Sequence, residues 1–215
     1  MSLTPANAEE EARFKAAVDN LLPSIQRARE VWEFAGRAYA TFSSRPDWPE
    51  HQAAVELILN LASVDYEVKV LLHQFHADFD NRAVWEKYLG LTLYEGITTV
   101  KTLAGANSKR LRQSEGDSSP KLANLRKGLD RFNAEVRPIR GDSDFWSLLK
   151  RLRNEVTAHH IGKRDSAMSL HVSWAIASEE SRTKAHHSNM STIAQRSLFF
   201  GRAVQNLAED LNRQA

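Results

Sequence analysis

The sequence has no cysteine, only six prolines and nine glycines in 215 residues, and no long uncharged apolar run. Without cysteine the chain cannot form a disulfide framework, a thiolate nucleophile or a Cys-ligated zinc or iron–sulfur centre. The longest weakly charged stretch, residues 88–100, contains Glu95 and is shorter than the ~20 residues that a membrane span needs. No Gly-rich phosphate-binding fingerprint is present. We therefore expect no membrane span and no cofactor.

The composition is that of a globular protein, and its positive and negative charges are unevenly distributed along the chain. Apolar residues make up 42% of the sequence and charged residues 26%. The acidic residues Glu9, Glu10 and Glu11 do not fit a signal peptide, so we predict a soluble cytoplasmic protein. Residues 1–100 carry 9 Lys or Arg against 15 Asp or Glu, whereas residues 101–215 carry 20 against 12. The basic part can attract a polyanion such as RNA, or lie against the acidic part within one chain or across a dimer.

Apolar residues recur at spacings of three and four along most of the chain, and the alternation typical of strands is nearly absent. This pattern predicts one all-α domain over residues 1–215, an antiparallel bundle of five to seven helices. We expect a flexible polar connection at 106–119 and an irregular segment at 161–189 before the last helix. Within that segment, residues 170–176 alternate and allow one short strand.

Three glycines fall in or just after one predicted helix over residues 82–104: Gly90, Gly96 and Gly105. Glycine lowers helix propensity, so its presence there needs a reason. The ordinary reason is close approach of a neighbouring helix, which we prefer to a phosphate-binding loop.

The segment 142–162 carries the strongest candidate for chemistry. Arg153 and Asn154 lie on a predicted helix backed by apolar residues, and His159 and His160 follow where that helix is expected to end. Arginine stays charged and can bind phosphate oxygens bidentately, while histidine titrates near neutrality and can transfer a proton. Together they suffice for attack of an RNA 2′-OH on the adjacent phosphodiester, with no protein nucleophile and no metal.

Spacing alone leaves the choice of histidine open. On an ideal helix, residues six apart are roughly 120° out of phase and residues seven apart only about 20°. An unbroken helix therefore favours His160 as the neighbour of Arg153. The rise of about 9–10.5 Å still allows either histidine to contact the same nucleotide as the arginine.

Arg153-Asn154 followed by Ala158-His159, late in an all-α chain, resembles the Arg-x(4–6)-His motif of the HEPN superfamily. The resemblance implies a helical bundle that usually dimerises and, in many members, a metal-independent endoribonuclease of toxin–antitoxin, abortive-infection or other defence systems. It implies that Arg153 binds the phosphate, that Asn154 is the polar residue after it, and that His159, or His160, is the acid/base. A composite cleft across a homodimer, and an antitoxin or regulatory partner, are implied as well.

Further basic residues can guide an RNA backbone or simply form a solvated helix face. They are Lys109, Arg110, Arg112, Arg126, Lys127 and Lys150. Trp146, beside the motif, can pack in the core or stack on a base. Arg153 can equally be a surface arginine paired with a carboxylate, and the two histidines can serve as helix-end residues without chemistry.

Two other interpretations belong to different classes. The adjacent pairs His159-His160 and His186-His187 allow a metal site but lack the ligand spacing of known metal motifs, so we predict no metal. The main alternative to a ribonuclease is a non-catalytic helical-bundle module that dimerises or docks a partner through its aromatic residues.

Overall fold

The computed structural model describes Ala16 and residues 19–78, 81–158 and 192–212. These residues form six long α-helices and no strand: α1 Leu22–Ser43, α2 Trp48–Ala77, α3 Arg82–Glu115, α4 Pro120–Arg140, α5 Ser143–Ala158 and α6 Thr192–Asn212. The all-α fold predicted from the sequence is confirmed, and the six helices of the described residues fall within the predicted five to seven. The predicted irregular segment 161–189, with its alternating residues, lies outside the described residues.

The helices pack as an antiparallel bundle in which α6 returns to the centre. Short connections reverse the chain between α1 and α2 and again between α2 and α3. Helix α2 therefore packs against both α1 and α3. Helix α6 lies against α2, α3 and α4. It runs antiparallel to α2, because Gln205 bonds to Asp65 while Gly201 faces Val68.

The core is formed by the apolar stripes of five helices and contains almost no polar side chains. Its largest fully buried members include Phe75, Phe132, Phe200, Leu57, Leu61, Leu93 and Ile97. Burial of such side chains is the main stabilising term, at about 1.5–3 kcal/mol each. In the described part of the chain, no helix combines the length and apolar character that crossing a membrane demands.

Helix α3 corrects the prediction of a flexible connection at 106–119. Residues 106–115 continue the helix, and only 116–119 connect it to α4. The run contains good helix formers, and Leu111 packs against the core, so local propensity and burial outweigh its polar character. The helix ends at Gly116, whose φ of 83° is a conformation that glycine adopts without steric cost.

Helix α4 continues through Pro138, although proline normally ends a helix. Its last turn is retained because Ile139 is buried in the core and the backbone N–H of Gly141 donates to the carbonyl of Arg137 at 2.8 Å. Tertiary packing thus outweighs the missing donor of one residue.

Two of the three glycines mark close helix contacts, as predicted. A Cβ on Gly90 would lie 2.7 Å from Leu152 of α5, and one on Gly96 would lie 2.6 Å from the ring of Phe200. Gly105 has nothing within 4 Å of a built Cβ, so close approach does not explain it. The glycines therefore let α5 and α6 approach α3 at two separate levels.

Candidate functional site

Helix α5 carries Arg153 and Asn154 on its exposed side. The neighbouring face of the helix is buried in the bundle through Phe145, Leu149 and Leu152. Arg153 directly follows the buried Leu152, so it emerges at the border between the core contact and solvent. A rigid, well-packed helix is the kind of element that holds a functional side chain precisely.

The N-terminus of α5 is fixed to α6 through Asp142. One carboxylate oxygen of Asp142 accepts the backbone N–H of Phe145 at 3.0 Å, and the other accepts Nη2 of Arg196 at 2.6 Å. The guanidinium of Arg196 also lies 3.9 Å from the ring centroid of Phe145. The hydrogen bond from the backbone of Phe145 has the largest effect on the pKa of Asp142, and the bond with Arg196 has the next largest. Together they hold this pKa below its usual range. This cap sets the position of the helix that presents Arg153.

The close contact at Gly90 brings Arg153 next to helix α3. Nε of Arg153 donates to Oε1 of Glu95 at 2.8 Å, a bond between residues 58 positions apart in the sequence. Nη1 of Arg153 also lies 3.4 Å from Oδ1 of Asn154. The site thus holds a guanidinium, a carboxylate and a side-chain amide from two helices.

Electrostatically, Arg153 is a permanent cation at an accessible position. Its hydrogen bond and ion pair with Glu95 raise the pKa of the Arg153 guanidinium above its ordinary value. The side chains of Arg153 and Glu95 are 45% and 49% exposed. Exposed pairs of this kind contribute only about 0–1 kcal/mol, so a phosphate can compete for the guanidinium. The sequence interpretation of Arg153 as a carboxylate-paired surface residue is therefore compatible with phosphate binding.

Sequence reasoning did not identify Glu95 as the partner of Arg153. The pair is formed across the α3–α5 contact, between residues that are distant in the sequence. One signal was available: Glu95 is the only charged residue in 88–100 and directly precedes Gly96. A lone charge beside a close-packing glycine indicates a specific partner on a neighbouring helix.

The two candidate histidines, His159 and His160, lie outside the described residues. The backbone of α5 is described as helical to Ala158, the residue immediately before them. The described geometry therefore covers the phosphate-binding part of the predicted site and leaves the acid/base part a prediction.

Five of the predicted RNA-binding residues lie around the connection between α3 and α4: Lys109, Arg110, Arg112, Arg126 and Lys127. Arg112 and Arg126 share one carboxylate of that connection, Asp117, at 2.8 and 3.4 Å. Arg110 is fifteen residues beyond Glu95 on α3, about 22 Å along the helix axis. This basic group is separate from Arg153. Lys150, by contrast, lies on α5 one turn before Arg153 and is exposed.

No metal-binding cluster is found where the structure can be described. Across the described helices, no three His, Asp or Glu side chains converge in a way that could hold an ion. The pairs His159-His160 and His186-His187 lie outside those residues, so the structure does not test them.

A concave surface is formed by helices other than α3 and α5. A groove of about 550 Å³ runs between α1, α2 and α6, and its lining includes Val31, Ile58, Leu61, Val204, Ala208 and Leu211. None of its lining residues belongs to α3 or α5. The apolar face of α1 is only partly covered by the bundle: Ala28 and Ala35 are buried, whereas Trp32 stays 38% exposed.

Comparison with known protein families, with curated proteins and with solved structures finds no match to this chain. Any functional interpretation therefore rests on the residues described above and on the chemistry that they permit.

Proposed function

We propose that this chain is a metal-independent endoribonuclease of HEPN type, in which Arg153 binds the phosphodiester that is cleaved. The observation that carries the proposal is the Arg153–Glu95 contact, because it holds a permanently charged guanidinium in a fixed direction at an accessible surface. Asn154 is within reach of the same guanidinium and helps to orient it.

The reaction needs only groups that the motif and the substrate supply. A histidine, His159 or His160, removes the proton of a ribose 2′-OH, and that oxygen forms a bond to the adjacent phosphorus. The bond from phosphorus to the 5′-oxygen breaks, and the protonated histidine gives its proton to the leaving 5′-oxygen. The products are a 2′,3′-cyclic phosphate and a 5′-hydroxyl. Arg153 stabilises the charge that builds up on the phosphoryl oxygens, a role that electrostatic catalysis commonly assigns to arginine.

Glu95 has two consequences for such a site. Its hydrogen bond limits the rotamers of Arg153, so less side-chain freedom is lost when a phosphate binds. Its charge also competes with phosphate for the guanidinium, which lowers affinity for the ground state. An interaction that is stronger with the more highly charged transition state than with the bound RNA accelerates the reaction.

The biological setting follows as part of the same proposal. A ribonuclease of this kind acts in the cytoplasm as a homodimer, cleaves cellular or invading RNA as a toxin or defence component, and is restrained by an antitoxin or another regulatory protein. The uneven charge along the sequence supports an RNA-facing basic surface.

A second candidate function is a non-catalytic interaction module, favoured by one observation on α1. Phe34 and Val31 are 67% and 53% exposed on that helix, and the groove beside it is lined largely by apolar side chains. Exposed apolar surface of this kind is typical of a protein–protein contact. The same surface can serve the dimerisation of a ribonuclease, so activity has to distinguish the two functions.

The test is incubation of the purified chain with single-stranded and structured RNA in the presence of EDTA. The ribonuclease proposal predicts products that end in 2′,3′-cyclic phosphate, formed by the wild type and not by a folded Arg153→Ala variant. Cleavage by that variant at the wild-type rate would contradict a role of Arg153 in the reaction. Absence of cleavage on all RNAs, with dimers present, would favour the interaction module.

A further inference from the structure

One side of α5 presents an aromatic ring followed by two cations. Trp146, Lys150 and Arg153 lie at i, i+4 and i+7, so their side chains leave the helix within about 60° of one another. Trp146 is half-buried against the core, whereas Lys150 and Arg153 are exposed. The distance from position 146 to 153 along the axis is about 10.5 Å, which a short stretch of a nucleic-acid strand can span.

Helices α3 and α4 each add one residue to this surface. The ring of Tyr94 lies 4.9 Å from the ring of Trp146 at an angle of 33°. The guanidinium carbon of Arg140, an exposed residue at the end of α4, lies 5.6 Å from the centroid of Trp146. We call these five residues, Arg140, Tyr94, Trp146, Lys150 and Arg153, the aromatic–cation strip. It places an aromatic pair between cations on either side.

We propose that the aromatic–cation strip binds single-stranded RNA, an inference that rests on the ribonuclease function proposed above. Arg153 holds the phosphate that is cleaved, and Lys150 holds a neighbouring one. Trp146 stacks on the base of an adjacent nucleotide, because aromatic side chains bind bases of any identity through their faces. The guanidinium of Arg140, which lies over the indole in the free protein, moves to a flanking phosphate.

The position of Trp146 accounts for a preference for unpaired RNA. A half-buried indole does not project far from the surface, so only a base that has left its helical stack can lie against it. Sequence-specific and stacking recognition of RNA uses such splayed bases, whereas a duplex offers mainly its backbone. The strip therefore selects loops and single strands and has little preference among the four bases.

The experiment measures binding apart from cleavage. A short single-stranded oligonucleotide with 2′-O-methyl riboses cannot undergo attack by the 2′-OH, and its fluorescence anisotropy reports binding directly. We expect Trp146→Ala to weaken binding about tenfold, within the range found for loss of one base-stacking contact. Arg140→Gln should lower the slope of log affinity against log salt by about 0.7, the value for one phosphate contact on a single strand.

Matched variants on α1 serve as controls. Trp32→Ala removes another partly exposed tryptophan, which stacks on Tyr66 at 5.4 Å, and Arg37→Gln removes another exposed arginine. Neither should change binding. Trp146→Phe keeps an aromatic face and should retain most of the affinity. It also separates loss of stacking from damage to the fold, which circular dichroism checks for every variant.

Each outcome has a defined meaning. Equal binding by the wild type and Trp146→Ala, or binding of a duplex as tight as of the single strand, overturns the strip. Failure of the wild type to bind single-stranded RNA also overturns the proposal that the aromatic–cation strip binds RNA. If the wild type cleaves RNA while Trp146→Ala binds normally, the ribonuclease proposal stands and the strip fails. If binding depends on Trp146 but no RNA is cleaved, the strip stands and the ribonuclease proposal fails.

Discussion

Nε of Arg153 on α5 donates a 2.8 Å hydrogen bond to Oε1 of Glu95 on α3, and both side chains are about half exposed. The pair joins two helices that the sequence separates by 58 residues. Because solvent screens it, its effect on stability is small. Its effect on the direction and availability of the guanidinium is the larger consequence, and substitutions of Arg153 and of Glu95 separate this effect from stability.

Substitution of Arg153 is expected to abolish most RNA cleavage without unfolding the protein. Loss of one donor to a developing oxyanion costs about 10²–10³ in rate. The cleavage rate of Arg153→Ala should therefore fall by at least that factor. Arg153→Lys keeps the charge and loses the bidentate geometry, so it should recover only part of the rate. Initial rates on one RNA, together with thermal melting, measure both effects. Full activity of the alanine variant would remove Arg153 from the mechanism.

Substitution of Glu95 should affect binding and cleavage in opposite directions. Glu95→Gln removes the competing charge, so RNA should bind more tightly, while the less restrained Arg153 should slow the chemical step. Single-turnover rates at saturating protein, compared with binding curves, separate the two quantities. The free energy of unfolding should change by less than about 1 kcal/mol, since the pair is exposed. Weaker binding by the glutamine variant would contradict this role.

The glycines of α3 allow a matched test of the packing. Gly96→Ala forces a Cβ to 2.6 Å from the ring of Phe200, so we expect destabilisation by about 1–3 kcal/mol. Gly105→Ala on the same helix meets nothing within 4 Å and should stabilise the protein by about 0.4–1 kcal/mol. Urea unfolding of both variants gives the comparison. Similar changes in the free energy of unfolding for Gly96→Ala and Gly105→Ala would mean that α6 does not contact α3 as described.

Asp142 predicts a specific loss of stability in acid. Its folded pKa lies below the ordinary 3.8, so its contribution is present above that value and is lost as the pH falls through the folded pKa. Asp142→Asn keeps a side-chain oxygen for the cap and removes the charge that faces Arg196, so it should be less stable at pH 7 and show a weaker pH dependence between pH 5 and 2. Denaturant unfolding against pH measures this, and an unchanged acid profile would contradict the ion pair.

Much of the fold was predictable because its helices follow the period of their apolar residues. The start of α4 is one example: Ser119 caps it by accepting the backbone N–H of Leu122, and Pro120 begins it. The ends of α3 and α4 were not predictable, because Leu111 and Ile139 extend both helices through contacts with distant parts of the chain. The good helix formers of 106–115 are visible in the sequence, whereas these contacts are not.

For the candidate site, the sequence indicated Arg153 and Asn154 but not their surroundings. The carboxylate of Glu95 and the ring of Tyr94 reach α5 only because Gly90 allows the two helices to approach. The basic residues that the sequence offers as RNA ligands do not form one group, since Arg110 and Arg153 lie at different levels of the bundle. Side-chain convergence across helices depends on packing that periodicity alone does not specify.

The most direct test of the account is a double-substitution analysis of RNA cleavage with Arg153→Ala and with alanine at His159 or His160. Residues that act as a unit on one phosphodiester are strongly non-additive, so the double variant should be no slower than the slower single variant. Rates at one mapped bond, in EDTA, give the comparison. Independent, multiplicative losses for both histidines, or no cleavage by the wild type on any RNA, would contradict a shared guanidinium–imidazole site.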